Sequence, residues 1–434
     1  MGAKIKLYQV VILVFFIVKG ILFASLATNS PSLFLYGDGK EYESRAVALL
    51  ETGKFGLIQN DGEFRYDTYR LPGYPFFLSA FPRLDNENQY RLWGGVQFFL
   101  FHVWLYFIAR WMERRFGGRS AVYFVTALSL ALPWIHYVTT IHADLQFAIL
   151  TFSGFLFLIT AAETGRRSHM TSTGLCMAVA ALTKPDLVFF WVWLILLLAG
   201  FGFLIISRCR TSLAQQVQPY VAPVAIAGFS VFAAIAGWTV RNYAVTGKLT
   251  YTAVTSTVNR MFSEKLDESA MATAVNDSLL ETVHLIFLNG WATVQNFIPA
   301  LAQLFFNPGR WYLHLYLKGW GIDIDTIGVP FENLRVQDMP AIELVYMAAI
   351  SSVSLIIFAV LIWYIFKWMK GSARESFVLI FVCAWVSLYF VLQKGIWGAL
   401  TPSGPRYAMS IYPFLVFLGS LAFSRGDDNN RSDR

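Results

Sequence analysis

The sequence predicts an all-α integral membrane protein, and three observations carry that reading. Charged residues make up only 14% of a 434-residue chain that is 56% hydrophobic, where a soluble domain would carry about a quarter charged. Apolar runs of about twenty residues recur along it, the length a helix needs to cross hydrocarbon while satisfying its own backbone. The formal charge of +7 lies mostly in short clusters between those runs, where Lys and Arg set orientation. Nucleic acid is therefore not an expected partner.

Taken in order, the apolar runs place ten spans near residues 7–28, 89–111, 119–138, 143–162, 171–184, 186–206, 220–239, 341–366, 376–393 and 406–423. Residues 1–28 also imitate a secretory signal, with Lys4, Lys6 and a Ser25-Leu26-Ala27 site. The apolar run continues past Lys19 to about Leu26, which favours an uncleaved anchor helix. Ten spans put Arg110, Arg114, Arg115, Arg119, Arg166, Arg167, Arg208, Arg210, Lys367, Lys370 and Arg374 on the side of Lys4 and Lys6. That side, with both termini, is then cytoplasmic. Of the 27 acidic residues, only Glu113, Glu163, Glu375, Asp427, Asp428 and Asp433 fall there. The rest gather at the outer side, a functional pattern, because acids at membrane depth are expensive.

Two long outer segments divide the spans. In residues 29–88, Asp38 opens a helix expected to run to about Glu51, with Val47, Leu49 and Leu50 on its apolar side. Arg70-Leu71-Pro72-Gly73-Tyr74-Pro75 then turns the chain before a short apolar run, Phe76 to Phe81. Both helices are too short to span and are expected along the interface. The segment 240–340 has no soluble-domain pattern. Its apolar part, 279–306, is interrupted by Asn289, Gly290, Gln295, Asn296 and Pro299, so interfacial or re-entrant helices are expected. Spans 2 to 7 thus occupy 89–239 and spans 8 to 10 occupy 341–423. The tail 424–434 reads as disordered. Cys176, Cys209 and Cys383 lie outside the outer loops, so no disulfide framework is implied.

The polar stretch from Tyr36 to Pro82, hung between apolar spans, reads as the front wall of an active site. The fifth span breaks at Thr183-Lys184-Pro185-Asp186, setting a cation beside an anion, and broken helices commonly line cavities. A set of residues then carries a resemblance: Gly37-Asp38 followed by Tyr42, Ala46 and Leu50; Pro72-Gly73-Tyr74-Pro75; Leu182-Thr183-Lys184-Pro185; Trp238-Thr239-Val240-Arg241-Asn242-Tyr243 with Gly247; and Pro405-Arg406-Tyr407. In this order and topology they resemble the GT-C glycosyltransferases related to protein O-mannosyltransferases and lipid A aminoarabinose transferases. The resemblance covers most of the chain up to residue 423 and implies a GT-C-like bundle of about ten helices. It implies a polyprenyl-phosphate sugar donor, a lipid, glycan or protein acceptor, and transfer at the outer face of a plasma membrane, in bacteria the inner membrane. It further implies a catalytic Asp in the first outer loop, matched by Asp38, and a second acid matched by Asp144. The family's common Asp-Glu pair is absent, since Gly39 follows Asp38, and Glu41 or Asp144 is the substitute.

Transfer from a lipid phosphate to a hydroxyl needs a base near the acceptor oxygen and positive charge near the departing phosphate. Asp38 is the expected base or metal-positioning acid, although an Asp there also suits a helix N-cap. Arg241, Arg406 and Lys184 are the expected phosphate ligands, with Lys394 behind them; interfacial snorkelling is the competing account. Arg70, Tyr42, Tyr74 and Asn242 are expected to contact substrate. Tyr66, Tyr69, Trp291 and Trp311 suit either sugar stacking or an aromatic interface belt. No cofactor is fixed by the sequence; a divalent metal held by His142 and Asp144, with His136 and Asp38 nearby, is the candidate. Walker A, dinucleotide, His-Glu-x-x-His and Cys-x-x-Cys signatures are absent. Two other classes fit less well. A transporter of lipid-linked precursors would place charges at mid-membrane, where Lys19 is the main example, and a non-catalytic assembly partner would not need two polar outer loops.

Overall fold

The computed structural model describes residues 5–35, 38–131, 134, 136–206, 211–247, 249–252, 341–369, 377–400 and 409–424. Lys6 opens the first helix, α1 (Leu7–Asn29), which a 3-10 turn (Pro31–Leu35) follows. The first outer segment then holds α2 (Gly39–Thr52), β1 (Gly56–Ile58), β2 (Phe64–Tyr66) and α3 (Gly73–Ser79). The bundle continues through α4 (Asn86–Phe116), α5 (Gly118–Leu130), α6 (Ala143–Thr164), α7 (Arg167–Thr183), α8 (Phe190–Ile206) and α9 (Thr211–Thr246). Beyond it lie α10 (Ala341–Met369), α11 (Phe377–Leu400) and α12 (Tyr412–Ser420).

Among the described residues each expected span overlaps a helix, because a run of apolar residues in hydrocarbon has few other ways to pair its backbone. The number of crossings is a different matter. Among the described residues five stretches are long and apolar enough to span: Leu7–Asn29, Asn86–Phe116, Ala143–Thr164, Pro185–Phe203 and Ala214–Thr246. Ser351–Lys367, Val378–Leu392 and Tyr412–Phe423 are shorter apolar helices. Ten spans is thus an expectation that the structure supports only in part.

One expected boundary needs correction. The third span was expected to run to residue 138, but α5 ends at Leu130, and Ala131 is already extended (φ −63°, ψ 128°). Trp134 and His136 are helical again beyond this break, and a proline in the sequence at 133 has no N–H to continue the ladder. Within an otherwise helical frame, the described residues include one antiparallel pair, β1–β2, with Leu57 opposite Arg65. Its turn is closed by Gln59 N–H donating to the Glu63 carbonyl at 2.8 Å and carries Asp61-Gly62, a strong hairpin signal between apolar and aromatic residues.

The helix ends sort into two groups. At one end Lys6 pairs with Glu113 at 2.7 Å, Arg115 pairs with Glu163, and Lys367 donates to the Ala422 carbonyl at 3.3 Å. This gathers the start of α1, the ends of α4, α6 and α10, and the last described turn of the chain. The segment with α2, β1, β2 and α3 lies at the opposite end, between the end of α1 and the start of α4. Between the two ends runs an apolar core that includes Phe101, Leu105, Phe124, Phe152, Phe155, Phe414 and Phe417.

Candidate active site

Asp38 sits immediately before α2 but makes no side-chain capping bond. The cap-only account is therefore not what the side chain does here. Its Oδ1 instead faces Arg70 Nη2 at 3.1 Å, and Arg70 Nε donates to Glu41 Oε2 at 2.6 Å. One guanidinium thus bridges the two carboxylates, and its flat faces lie near the rings of Tyr42 and Tyr69, 5.3 and 5.1 Å away. Arginine can do this because its fork of donors is rigid and its plane stacks on aromatic rings. Gly39 follows Asp38 for a steric reason: a Cβ there would lie 3.0 Å from the Ile141 carbonyl oxygen. A second acid directly after Asp38 would meet that carbonyl, and Glu41, one short step along the helix, shares Arg70 instead.

A second charged group lies where α7 ends. Lys184 leaves the helix in extended conformation, and its ammonium reaches Asp144 Oδ1 at 2.6 Å and Asp186 Oδ2 at 3.6 Å. Lys184 and Asp144 are largely buried, with 11% and 6% of their side chains exposed. The two groups meet at Tyr42. Its phenol is pushed up to about 12, first by burial, with the charges of Arg70, Asp38, Lys184 and Asp144 all acting on it. Tyr42 also packs edge-on against Tyr74 at 5.1 Å, and Tyr74 donates to Gln97 at 2.7 Å. Burial raises Tyr74 as well, so both phenols stay protonated as donors.

Close packing brings the sequence motifs together. A Cβ on Gly73 would lie 2.9 Å from the Leu182 carbonyl group, so the Pro72-Gly73 turn rests on the end of α7, beside Lys184. This explains why two motifs more than 100 residues apart belong to one site.

Arg45 and Asp67 were not singled out in the sequence, yet they hold the loop. Arg45 Nε donates to Asp67 Oδ2 at 2.7 Å, and both side chains are buried. Asp67 also accepts the backbone N–H groups of Tyr69 (3.1 Å) and Arg70 (3.0 Å). Its place two residues before Tyr69 is an Asx-turn signal that the sequence does contain. Arg241, expected to hold phosphate, uses its donors differently. Nη1 reaches the Asp67 carbonyl and Asn242 Oδ1, each at 2.9 Å, and Nη2 reaches the Phe55 carbonyl at 2.9 Å. Asn242, expected to touch substrate, is buried and donates to the carbonyls of Thr250 (2.9 Å) and Tyr251 (3.1 Å). In this structure both act as latches: α9 grips the loop that carries Arg70. Thr252 adds a bond to the Tyr69 carbonyl at 2.6 Å.

Among the described residues no three His, Cys, Asp or Glu side chains are gathered to hold a metal ion. Asp144 is bound to Lys184 and Asp38 to Arg70, so the set expected around His142 is engaged by cations instead. The rings of His136 and His142 both pack against Tyr137. Arg406, Trp291 and Trp311, the side chain of Lys394, the helices expected in 279–306 and Cys209 lie outside the described residues. Among the described residues Cys176 and Cys383 are unbridged.

Fold and site together define a helical membrane protein with a charged, partly buried loop site at one end of its bundle. Residues 70–238 match the model of a GT-C superfamily family described as dolichyl-phosphate-mannose-protein mannosyltransferase. The match covers under half of the chain; over that segment the chain is similar to a family of membrane mannosyltransferases. The match runs from Arg70 through α3 to Trp238 in α9 and takes in Tyr74, Asp144 and Lys184, whereas Asp38, Glu41, Tyr42 and Arg241 lie just outside it. No curated protein and no solved structure matches the chain.

Proposed function

We propose that this protein transfers a sugar from a polyprenyl-phosphate donor to a lipid, glycan or protein acceptor at the extracytoplasmic face of the membrane. The observation that carries the reading is the arrangement around Tyr42, where a carboxylate with an arginine (Asp38 and Arg70) and a second such pair (Asp144 and Lys184) act on one buried phenol. In the reaction, Asp38 takes the proton of the acceptor hydroxyl as that oxygen bonds to the sugar. The bond between sugar and phosphate oxygen breaks, and the phosphate leaves with the electron pair. Arg70 and Lys184 supply positive charge on the departing side, Arg70 as a bidentate donor and Lys184 as a point charge.

Orientation follows from charge. The end that gathers Lys6, Arg114, Arg115, Arg166, Arg167 and Lys367 faces the cytoplasm by the positive-inside rule, so the Asp38 loop faces outward, toward lipid-linked donors presented there. The test uses purified protein in proteoliposomes with a panel of polyprenyl-phosphate sugars and mass spectrometry of the products. Wild type should transfer one sugar and Asp38→Asn should not, by a factor of about 10² to 10⁴. Full transfer by a monodisperse Asp38→Ala protein overturns the assignment. Labelled donor crossing the bilayer with no new glycosidic bond favours the transporter instead.

A further inference from the structure

Lys19 lies twelve residues into α1, roughly 18 Å along the axis from Leu7, at a depth where an ammonium is costly. It is 1% exposed. Among the described residues no carboxylate lies within ion-pair distance of it. Its Nζ donates instead to the Trp134 carbonyl at 3.1 Å and lies 4.9 Å from the centre of the Phe101 ring. Trp134 is itself fully buried and stacks on Trp104, with ring centres 5.7 Å apart and planes 5° from parallel.

That carbonyl belongs to the stretch between Leu130 and Ala143 that connects α5 to α6, where Trp134 and His136 are helical and Tyr137–Thr139 form a turn. Buried carbonyls at such a turn gain from donors supplied by neighbouring helices. Lys19 supplies one from α1. Gln97 of α4 supplies two more, from Nε2 to the carbonyls of Tyr137 (2.8 Å) and Thr140 (2.5 Å), while its Oε1 accepts from Tyr74. The far end of the same connection touches the site. Ile141 N–H donates to the Phe34 carbonyl at 2.8 Å, the Ile141 carbonyl is the group that confines Gly39, and Asp144 pairs with Lys184 three residues later.

We infer that Lys19 is a positioning residue, a mid-membrane donor that, with Gln97, suspends the α5–α6 connection so that Ile141 and Asp144 meet the Asp38 helix and Lys184. It contacts no substrate. It also gives a structural role to the one buried charge that the transporter reading would have used. The activity arm of its test rests on the proposed transfer reaction; the exchange arm does not.

The experiment compares Lys19→Met and Lys19→Gln with wild type by hydrogen–deuterium exchange in nanodiscs and by transfer kinetics. Loss of a bond to a charged donor should speed exchange at 136–142 by about tenfold or more in Lys19→Met, with the α6–α7 hairpin unchanged. Its kcat should fall about tenfold while the donor KM stays within about twofold, as expected when geometry is lost without loss of ground-state binding. Lys19→Gln, which keeps an N–H donor, should recover most of both. Unchanged exchange at 136–142 in Lys19→Met overturns the inference, and so does faster exchange with undiminished kcat. If Lys19→Met fails to fold, Lys19→Gln decides: wild-type exchange and kcat support the role, while faster exchange confined to α1 overturns it. Absence of transfer in wild type would refute the proposed function and leave the exchange result to decide the role of Lys19.

Discussion

Both ends of the bundle carry ion pairs, but they are built differently. At the basic end, Lys6–Glu113 and Arg115–Glu163 join helix termini, and at least one partner of each is well exposed (52% for Lys6, 34% for Glu163). At the loop end, Arg45–Asp67 is 5% and 7% exposed, and its carboxylate also holds two backbone N–H groups. Exposed pairs contribute little to stability because water competes for both partners. Buried pairs are costly to break, since removing one partner strands the other. The difference teaches that charge at the basic end sets orientation, whereas charge at the loop end sets backbone geometry and so the position of Arg70.

The comparison can be broken or sharpened in four ways. The largest effect is expected from Asp67→Ala, which strands Arg45 and two N–H groups. About 3–5 kcal/mol of stability should be lost in detergent unfolding. Changing Arg45 to Met together with Asp67 to Leu should restore much of that stability but not transfer, because Arg70 would still lack its anchor. Next comes Gly73→Ala, whose Cβ would crowd the end of α7 and should cost about 1–3 kcal/mol, with a larger proportional loss of transfer as the Lys184 group moves away from Tyr42. A third test uses pH. The Tyr42 phenol is raised from 10.0 to about 12 by burial, so the fold binds its proton more tightly than the unfolded chain. That contribution is whole below pH 10 and is lost as pH rises through about 12. Tyr42→Phe should flatten the alkaline fall in melting temperature over this window. The smallest effect belongs to the basic end, where Lys6→Ala should cost about 0–1 kcal/mol and leave transfer unchanged. A loss like that of Asp67→Ala would erase the distinction between the ends.

Much of the helical frame was legible in the sequence. The apolar run from Leu7 predicts a helix to residue 28, and α1 ends at Asn29. Asp38 predicts the start of a helix to about Glu51, and α2 runs from Gly39 to Thr52. Such signals are local, because they depend on residues three or four apart on one helix. Asp38, Arg70, Tyr42, Asp144 and Lys184 were also chosen from the sequence, and the structure brings them to one place. The contacts of Arg241 with the loop and of Asn242 with Thr250 are not legible in the sequence. An arginine at a helix end looks alike whether it awaits a phosphate or grips a carbonyl 174 residues away, as Arg241 does with Asp67. Arg45 is hidden for a similar reason, since on α2 it reads as an ordinary surface charge until Asp67 covers it.

The sequence by itself determined that the chain is rich in apolar helices suited to a membrane, where most of those helices fall, and which polar segment interrupts them. Hydrophobic length and charge clusters act along the chain and need no partner to be read. Only the tertiary structure decided which cation meets which carboxylate: Arg70 with Asp38 and Glu41, Lys184 with Asp144, Arg45 with Asp67, and Lys19 with a bare carbonyl. Those choices follow from burial, because a charge removed from water must take whichever partner the packed helices bring within hydrogen-bond reach.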